Sequence, residues 1–399
     1  MQRGRLRLVL PDGSEKIFGG LGEEPRAEIR VKDVEFFRTC VLYGPVGFGE
    51  AYMDGLWETE DLVGVITWFI RNADESTVLE GSGRTDLRIG LMNFAHKVAH
   101  QLRPNSRRTS RRNIQEHYDL SNEFFALWLD PTMTYSAAYW DQPGATLEQA
   151  QVRKYDVLCR KLRLQPSDHV LEIGSGWGGF SMHAAKNFGC RVTTVTISPA
   201  QFDEASRRIA AAGLNDKIDL RLTDYRELTG QFDKIASIEM LEAVGDKYLD
   251  GYFAQCHRLL QRKGLLGLQY ITCPDAQYEV LRRGVDFIQR HVFPGSLLNS
   301  IGRVNTALNR TGDLFLHDLD DMGPYYAQTL HVWRKNFHRE LAAVRAQGFD
   351  ETFLRKWDYY LAYCEAAFAT RHISVVQAIY TRADNETLDF STGLNRGCS

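Results

Sequence analysis

No stretch of this chain approaches the roughly 18 consecutive apolar residues that a membrane-spanning helix requires. The longest candidate, residues 62–70, carries Gly64 and Thr67 and reads as a buried helix. No apolar run follows Arg3 and Arg5, so a secretory leader is not expected. The seven cysteines are odd in number, scattered, and contain no Cys-x-x-Cys pair. That argues against a disulfide framework and against a zinc site, so no metal is expected and a reducing cytoplasm is the expected compartment. Net charge is small too: 48 Lys and Arg against 51 Asp and Glu leave −3. No global field selects a polyanion, so no nucleic-acid partner is expected, and any contact with a charged surface must come from a local patch. No internal repeat is found.

What is present is enough for two domains. The chain has 399 residues, 44% of them hydrophobic and 25% charged, the profile of a soluble globular protein. Residues 1–75 read as a small α+β unit. Leu6, Leu8 and Leu10 alternate with polar residues, Pro11-Asp12-Gly13 supplies a turn, and Ala27, Ile29 and Val31 alternate again. Residues 46–70 read as helical. Residues 76–112 read as a connector, with Leu87, Leu91, Phe94, Val98 and Leu102 on one helical stripe, followed by Arg103, Arg107, Arg108, Arg111 and Arg112. Two readings stay open for that connector: a packing helix with a solvated linker, or a contact with an anionic membrane surface, where each basic residue contributes on the order of 1 kcal/mol.

Residues 113–399 carry a different pattern. Thr146 with Gln149 three positions on is a capping box that opens a helix to about residue 164. Short apolar segments at 169–173, 191–197, 218–222, 232–238 and 265–271 predict strands, with helices between them. Strand–helix alternation implies an α/β fold with a doubly wound, mostly parallel sheet. The last third is mainly helical, with Phe353, Trp357, Tyr359, Tyr360, Tyr363 and Phe368 on one helix over 353–370, and residues 373–380 are a candidate final strand.

The strongest local signal is Glu172-Ile-Gly174-Ser-Gly176-Trp-Gly178-Gly179, which follows a strand and runs into a helix over 180–188. Glycines there permit a tight reversal and a close approach of backbone to ligand. Dinucleotide dehydrogenases share that logic. Several features tilt the reading toward S-adenosylmethionine instead. Glu172 precedes the first glycine and suits the cofactor's amino-acid end. No carboxylate ends the second strand; Thr196-Ile197-Ser198 stand there, followed by Gln201. The third strand leads to Asp224-Tyr225-Arg226, where an aromatic face can pack on adenine.

The run Ile114-Gln-Glu-His117-Tyr118-Asp119-Leu-Ser121-Asn122-Glu-Phe124-Phe125, then Asp130 and Met133-Thr-Tyr135-Ser136-Ala-Ala-Tyr139-Trp140, resembles the cyclopropane-fatty-acid and mycolic-acid cyclopropane synthases. The likeness continues in order through the glycine turn, Thr196 to Gln201, Asp224 to Arg226, Ile238-Glu-Met-Leu-Glu242-Ala-Val-Gly245, Phe293-Pro-Gly295, Tyr326-x-x-Thr329-Leu330 and the helix from Trp357 to Phe368. It covers residues 113–381, and residues 1–75 also look like the N-terminal domain of longer bacterial members. The resemblance implies a class I S-adenosylmethionine-dependent methyltransferase fold. It places Tyr135 and Ser136 at the methionine end of the cofactor and Gly174 and Gly176 beneath it. It places Thr196, Ile197 and Gln201 at the ribose, Tyr225 and Arg226 at the adenine, and Glu242, Tyr326, Gln269 and Ile271 around the reacting centre. It implies an unsaturated acyl chain of a membrane phospholipid as substrate. A peripheral position at the inner membrane surface and a homodimer are expected, with residues 1–75 helping to dimerise the enzyme or to present it to the bilayer. Two positions depart from the pattern. Ala137 stands where a cysteine is usual, and Gln269 where many bacterial members have histidine. In such members those two positions, with the matches of Glu242, Ile271 and Tyr326, surround a bound bicarbonate that serves as base. The departures put both the anion and the product in question.

The chemistry explains the residue types. A sulfonium methyl is electrophilic and an alkene is a weak nucleophile, so methyl transfer leaves a carbocation. The site must exclude water, lower the cation's energy with aromatic faces and carboxylates, and supply a base. Proton loss from the new methyl closes a cyclopropane; proton loss after a hydride shift gives a methylene branch, which later reduction turns into a methyl branch. Glu242 is the candidate for stabilising the cation or orienting the base, against a reading as a helix-capping carboxylate. Tyr326 is the next candidate. His117 reads as a proton relay or as a structural histidine. Cys364 matches a cysteine once suspected as a nucleophile, but among Tyr and Phe it reads as an inert thiol. The competing functions are a small-molecule methyltransferase, which needs a compact polar pocket, and a lipid-binding protein with a degenerate site.

Overall fold

The computed structural model describes residues 3–20, 25–72, 120–383 and 385–388. The connector at 76–112 and His117 lie outside the described residues.

The N-terminal part builds one small sheet. Strands β1 (Arg5–Val9), β2 (Glu15–Gly19), β3 (Arg26–Val31) and, later in the chain, β4 (Trp57–Glu58) lie in the order β2-β1-β3-β4. Leu6 and Leu8 of β1 and Ala27, Ile29 and Val31 of β3 are the buried members of the alternating pattern. Helices α1 (Glu35–Met53) and α2 (Leu62–Asn72) cover that face. Residues 46–70 are therefore not one helix. The backbone of Gly55 turns left-handed (φ +73°), a conformation that ends helices. The chain then buries Trp57 completely, pairs β4 with β3, and restarts α2 where the Asp61 carboxylate accepts from Gly64 N (2.8 Å). A second left-handed glycine, Gly44 before Pro45, breaks the course of α1.

The larger part runs α3 (Asn122–Ala126), α4 (Leu147–Lys161), β5 (His169–Ile173), α5 (Gly179–Asn187), β6 (Arg191–Thr196), α6 (Pro199–Ala211), β7 (Ile218–Leu222), β8 (Phe232–Ile238), α7 (Leu249–Leu259) and β9 (Leu260–Cys273). It continues with α8 (Asp275–Arg283), α9 (Phe287–His291), β10 (Asn299–Ser300), α10 (Ile301–Thr311), β11 (Leu314–Asp321), α11 (Gly323–Arg339), α12 (Leu341–Ala346), α13 (Glu351–Ala369) and β12 (Ser374–Arg382). The sheet order is β11-β12-β9-β8-β5-β6-β7, with β10 added to β9. β5 to β9 are mutually parallel and β12 is antiparallel to both neighbours. The order reverses between β5 and β8, and in open α/β sheets that switch point is where ligands bind, at the carboxyl ends of the strands. The capping box at Thr146 and Gln149 is present, and α4 starts where expected. β11 is an edge strand not expected from the sequence; only Leu314 of its eight residues is buried.

The small sheet is separate from the large one, but its core is not. Buried residues of β1, β3, α1 and α2 form one apolar cluster with those of α11 and α13. Tyr52 and Tyr359 rings lie 5.8 Å apart, and Tyr52 Oη donates to Asp358 (2.9 Å). Arg355 of α13 donates to the carbonyls of Tyr52 and Trp57 and stacks 4.1 Å over the Tyr52 ring. This packing brings Tyr43, Pro45 and Val46 of α1 to the same cavity as the carboxyl ends of β5 and β8. Among the described residues no helix is long and apolar enough to cross a membrane.

Candidate active site

The site begins at the end of β5. Gly174, Gly176 and Gly178 take left-handed backbone (φ +95°, +49° and +86°), which side-chain-bearing residues rarely adopt. Gly174 N and Ser175 N both donate to Val195 O of β6 (3.0 and 2.9 Å), so the turn is pinned to the neighbouring strand. The next glycine is needed for closeness: a Cβ on Gly179 would sit 2.5 Å from Tyr155 Oη. The turn opens on a cavity of about 730 Å³, in the upper part of the range for small-molecule pockets. Every residue expected at the cofactor lines it: Tyr135, Ser136, Glu172, Gly174, Gly176, Thr196, Ile197, Gln201, Tyr225 and Arg226.

Their side chains are held by specific partners. Thr194 Oγ1 donates to Glu172 (2.6 Å), and burial pushes the Glu172 carboxyl up to about 8. Thr196 Oγ1 donates to Gln201 Oε1 (2.9 Å), while the Ser198 hydroxyl caps α6 by accepting from Gln201 N. Arg226 is committed to Asp224 (2.9 and 2.6 Å), which leaves the Tyr225 ring as the flat face at that end. Tyr135 Oη and Tyr360 Oη are 2.7 Å apart. Ser136 Oγ receives Lys154 Nζ (2.5 Å). Lys154 is fully buried; desolvation draws its amine down to about 7, against the opposing pull of Glu239, Asp130 and Glu172. The sequence reading passed over Lys154, since nothing in an amphipathic helix pattern marks one lysine as inward-facing.

At the other end, β8 stops at Ile238 and two carboxylates follow, Glu239 and Glu242, both on the cavity wall with Ile271, Tyr326 and Cys364. Glu242 Oε1 accepts from Ile271 N, and its Oε2 is buried without a hydrogen-bond partner. Burial, reinforced by the like charge of Glu239, pushes Glu242 up to about 8. Glu239 Oε1 accepts from Ala137 N and Gln269 Nε2 (2.8 Å each), and its Oε2 accepts from Tyr326 Oη (2.8 Å). Its carboxyl is raised by burial, with those three bonds and Lys154 acting the other way. Gln269 differs from expectation. It is not on the cavity wall but lies behind Glu239, and its Oε1 accepts from Gln377 Nε2 (3.0 Å). Burial keeps the Cys364 thiol far above its ordinary value, hence protonated. No described group of His, Cys, Asp and Glu is arranged to hold a metal ion.

Glu239 was missed from the sequence. Its spacing of three from Glu242, just past a strand, was a visible hint; its left-handed backbone (φ +48°) was not. The structure also answers whether an exogenous anion fits. Ala137 N–H, Gln269 and Tyr326 belong to the set that the resemblance gives to bicarbonate, and here all three donate to Glu239. The residues present do not fit that group.

Residues 105–378 match the family model described as mycolic acid cyclopropane synthetase. The chain belongs to that family. It is 37% identical over 386 residues to the tuberculostearic acid methyltransferase UfaA1 of Mycobacterium tuberculosis, covering 93% of this chain and 86% of that one. It is 35% identical over 356 residues to the cyclopropane-fatty-acyl-phospholipid synthase of Escherichia coli strain K12, covering 89% and 88%. Among solved structures it resembles mycolic acid cyclopropane synthase CmaA1 complexed with SAH and CTAB, with a TM-score of 0.64 and 31% identity over 68% of this chain and 98% of that one. The fold is that of a class I methyltransferase. The family member described here is an S-adenosylmethionine-dependent enzyme of the lipid-methyltransferase and cyclopropane-synthase class.

Proposed function

We propose that the enzyme adds the methyl carbon of S-adenosylmethionine to the double bond of an unsaturated acyl chain of a phospholipid and completes it as a cyclopropane ring. The observation that carries this reading is the continuity of one cavity. The glycine turn and Tyr225, the apolar and aromatic side chains of Phe293, Tyr326, Leu330, Tyr360, Tyr363 and Phe368, and the carboxylates Glu239 and Glu242 all line it. When bound, the cofactor supplies the electrophilic methyl group. The chain supplies the rest. Tyr135 and Ser136 orient the cofactor's methionine end. The aromatic wall takes the acyl chain and keeps water out. The aromatic faces and the two carboxylates lower the energy of positive charge in a low-dielectric site, where such interactions are strengthened. A compact polar pocket, the requirement of a small-molecule methyltransferase, is not what this wall offers.

The mouth of the cavity suits a bilayer. Tyr43, Pro45 and Val46 of α1 and Val280 and Leu281 of α8 line it. Val34, just before α1, and Phe37 and Val41 on it are exposed, with Val41 and Val280 75% and 72% exposed. Apolar side chains beside a mouth are the groups that enter an acyl region. A peripheral position at the membrane surface, with the headgroup outside and the acyl chain within, follows from this reading.

A second ending is favoured by the likeness to a tuberculostearic acid methyltransferase: proton loss after a hydride shift, giving a methylene branch. The test is gas chromatography–mass spectrometry of total fatty acids from cells expressing the chain, with Glu242→Gln as control. The expected product is an acid heavier by one CH2 than a monounsaturated one and absent from the variant. A ring survives mild hydrogenation; a methylene does not. No new acid in cells rich in monounsaturated phospholipid refutes acyl methylation.

A further inference from the structure

We infer that Glu239 is the base of the reaction, its carboxylate standing in the chain itself where the resembling synthases hold bicarbonate, so that this enzyme works without that anion. The inference rests on the acyl-methylation reading above. Its geometry comes from three elements converging on one carboxylate. The loop before α4 brings Ala137 N–H, β9 brings the Gln269 amide, and α11 brings the Tyr326 hydroxyl, each 2.8 Å from a Glu239 oxygen. All three are donors. Gln269 is fixed in that sense because its own oxygen is taken by Gln377 Nε2. A cradle of three donors selects an acceptor-only occupant, the ionised form of a carboxylate.

The backbone points the same way. Glu239 is one of four non-glycine residues with positive φ among the described residues. Glycine adopts that conformation freely and a glutamate rarely does. A residue held there at the cavity wall is an outlier of the kind that marks function. The neighbouring Glu242 is held differently: it meets a single backbone donor through Oε1 and its Oε2 has no hydrogen-bond partner, so no cradle of donors favours its ionised form. A carboxylate has about four acceptor positions. On Glu239 three are filled, two on Oε1 and one on Oε2, which leaves one on Oε2 for a substrate proton.

The step balances without a further reagent. Once the methyl carbon is bonded to one alkene carbon, its neighbour is cationic. Oε2 forms an O–H bond to a hydrogen of the new methyl group; the C–H bond breaks and its electron pair closes the third side of the ring. If a hydride has first shifted, the same pair becomes the C=C of a methylene. The carboxylate is left neutral and returns its proton to water when product leaves. Neither ending needs an oxidant or a reductant.

The test separates the base from the acyl reading by using bicarbonate itself. In buffer stripped of carbon dioxide, the wild-type enzyme is expected to turn over at the same rate with and without added bicarbonate. Labelled bicarbonate followed by carbon-13 NMR, which needs no lipid, is expected to show no binding to wild type. Glu239→Gln should lose about 10²- to 10⁴-fold in kcat, the range for a positioned general base, with the Kd for S-adenosylmethionine unchanged. Glu239→Gly suits the left-handed backbone and should fold. It should bind bicarbonate by NMR and recover at least about tenfold of its lost turnover when the anion is added. Bicarbonate binding or bicarbonate dependence in wild type overturns the inference, as does full activity of Glu239→Gln or a folded Glu239→Gly that fails to bind the anion. If wild type acts on no unsaturated phospholipid while the NMR results hold, the acyl reading fails and the assignment of the carboxylate's place stands.

Discussion

Binding of S-adenosylmethionine should release protons, and the structure sets how many. Glu172 and Glu242 are both pushed up to about 8 in the free enzyme, chiefly by burial. At pH 7 a group of that pKa is roughly nine-tenths protonated. On the proposed reading the cofactor brings a net positive charge between them, and an opposite charge within about 4–6 Å lowers a carboxyl by about 1–3 units. A shift of about 2 units leaves roughly a tenth of each group protonated, so each releases roughly 0.8 of a proton. Lys154, drawn down to about 7, is pushed further toward its neutral form by the same charge and adds to the release. The expected total is one to two protons, on the order of magnitude the shifts allow. Calorimetry at pH 7 in two buffers of unlike ionisation enthalpy measures this directly as a difference in apparent heat. Affinity should also rise with pH, by about tenfold per unit for each proton released, and flatten above about pH 8. Glu172→Gln and Glu242→Gln should each remove most of one proton. Buffer-independent heats together with a Kd that is flat from pH 6.5 to 8 would show that the cofactor does not lie between these carboxylates.

Glu172 also ties stability to pH. Its folded value is raised from 4.5 to about 8, so its contribution is full below about 4.5 and is lost as pH rises through about 8. Denaturant midpoints of the cofactor-free enzyme should fall over that window, by an amount of up to several kcal/mol, and Glu172→Gln should flatten the slope; an equally steep slope in the variant would rule Glu172 out as its source. Arg355→Ala removes two bonds to carbonyls and a cation over the Tyr52 ring. It should lower stability by about 3 kcal/mol and raise amide exchange around residues 51–57; an unchanged midpoint and unchanged exchange would mean that α1 is held by apolar packing alone. Val41→Asp and Val280→Asp place charge at the exposed rim of the mouth. Liposome association should weaken about tenfold or more with cofactor Kd unaltered, and equal association would put the bilayer contact elsewhere.

The sheet was legible because its signals are local. The apolar segments at 169–173, 218–222 and 232–238 coincide with β5, β7 and β8, and the Thr146–Gln149 box marks the start of α4. β11 was not legible: Leu-Phe-Leu-His-Asp-Leu-Asp-Asp carries three acids and buries only its first residue. Its strand state comes from pairing with β12 and not from a hydrophobic face. The expected last strand exists as β12, but hydropathy cannot say that it inserts between β9 and β11. Residues 46–70 are apolar throughout much of their length, and that hid the break at Gly55 and the burial of Trp57 against the sheet. The shared core of α1, α2 and α13 joins residues about 300 apart, a relation no window along the chain contains.

The site shows the same division more sharply. The ten cofactor candidates could be proposed because a glycine turn and strand-end positions are written in consecutive residues and the resemblance adds Tyr135 and Ser136; all ten line one cavity. The reacting end is assembled from the loop before α4, the end of β8, β9 and α11, so its logic appears only when the four meet. Gln269 looked like a departure that weakened an anion site. In place, its amide is one of the donors that hold Glu239, and the backbone N–H of Ala137 is another on the same oxygen. At 269, what reads as a loss in sequence is, in space, a neutral donor to a built-in carboxylate in place of a titrating one. A histidine at 269 would share its charge state with pH, whereas an amide keeps donating at every pH. The base strength of Glu239 is then set by burial, Lys154 and fixed hydrogen bonds. The acid limb of the turnover profile should therefore lie above the ordinary carboxylate range and shift when Gln269→His introduces a second titrating group; a limb that stays put in that variant would separate Glu239 from the proton-transfer step.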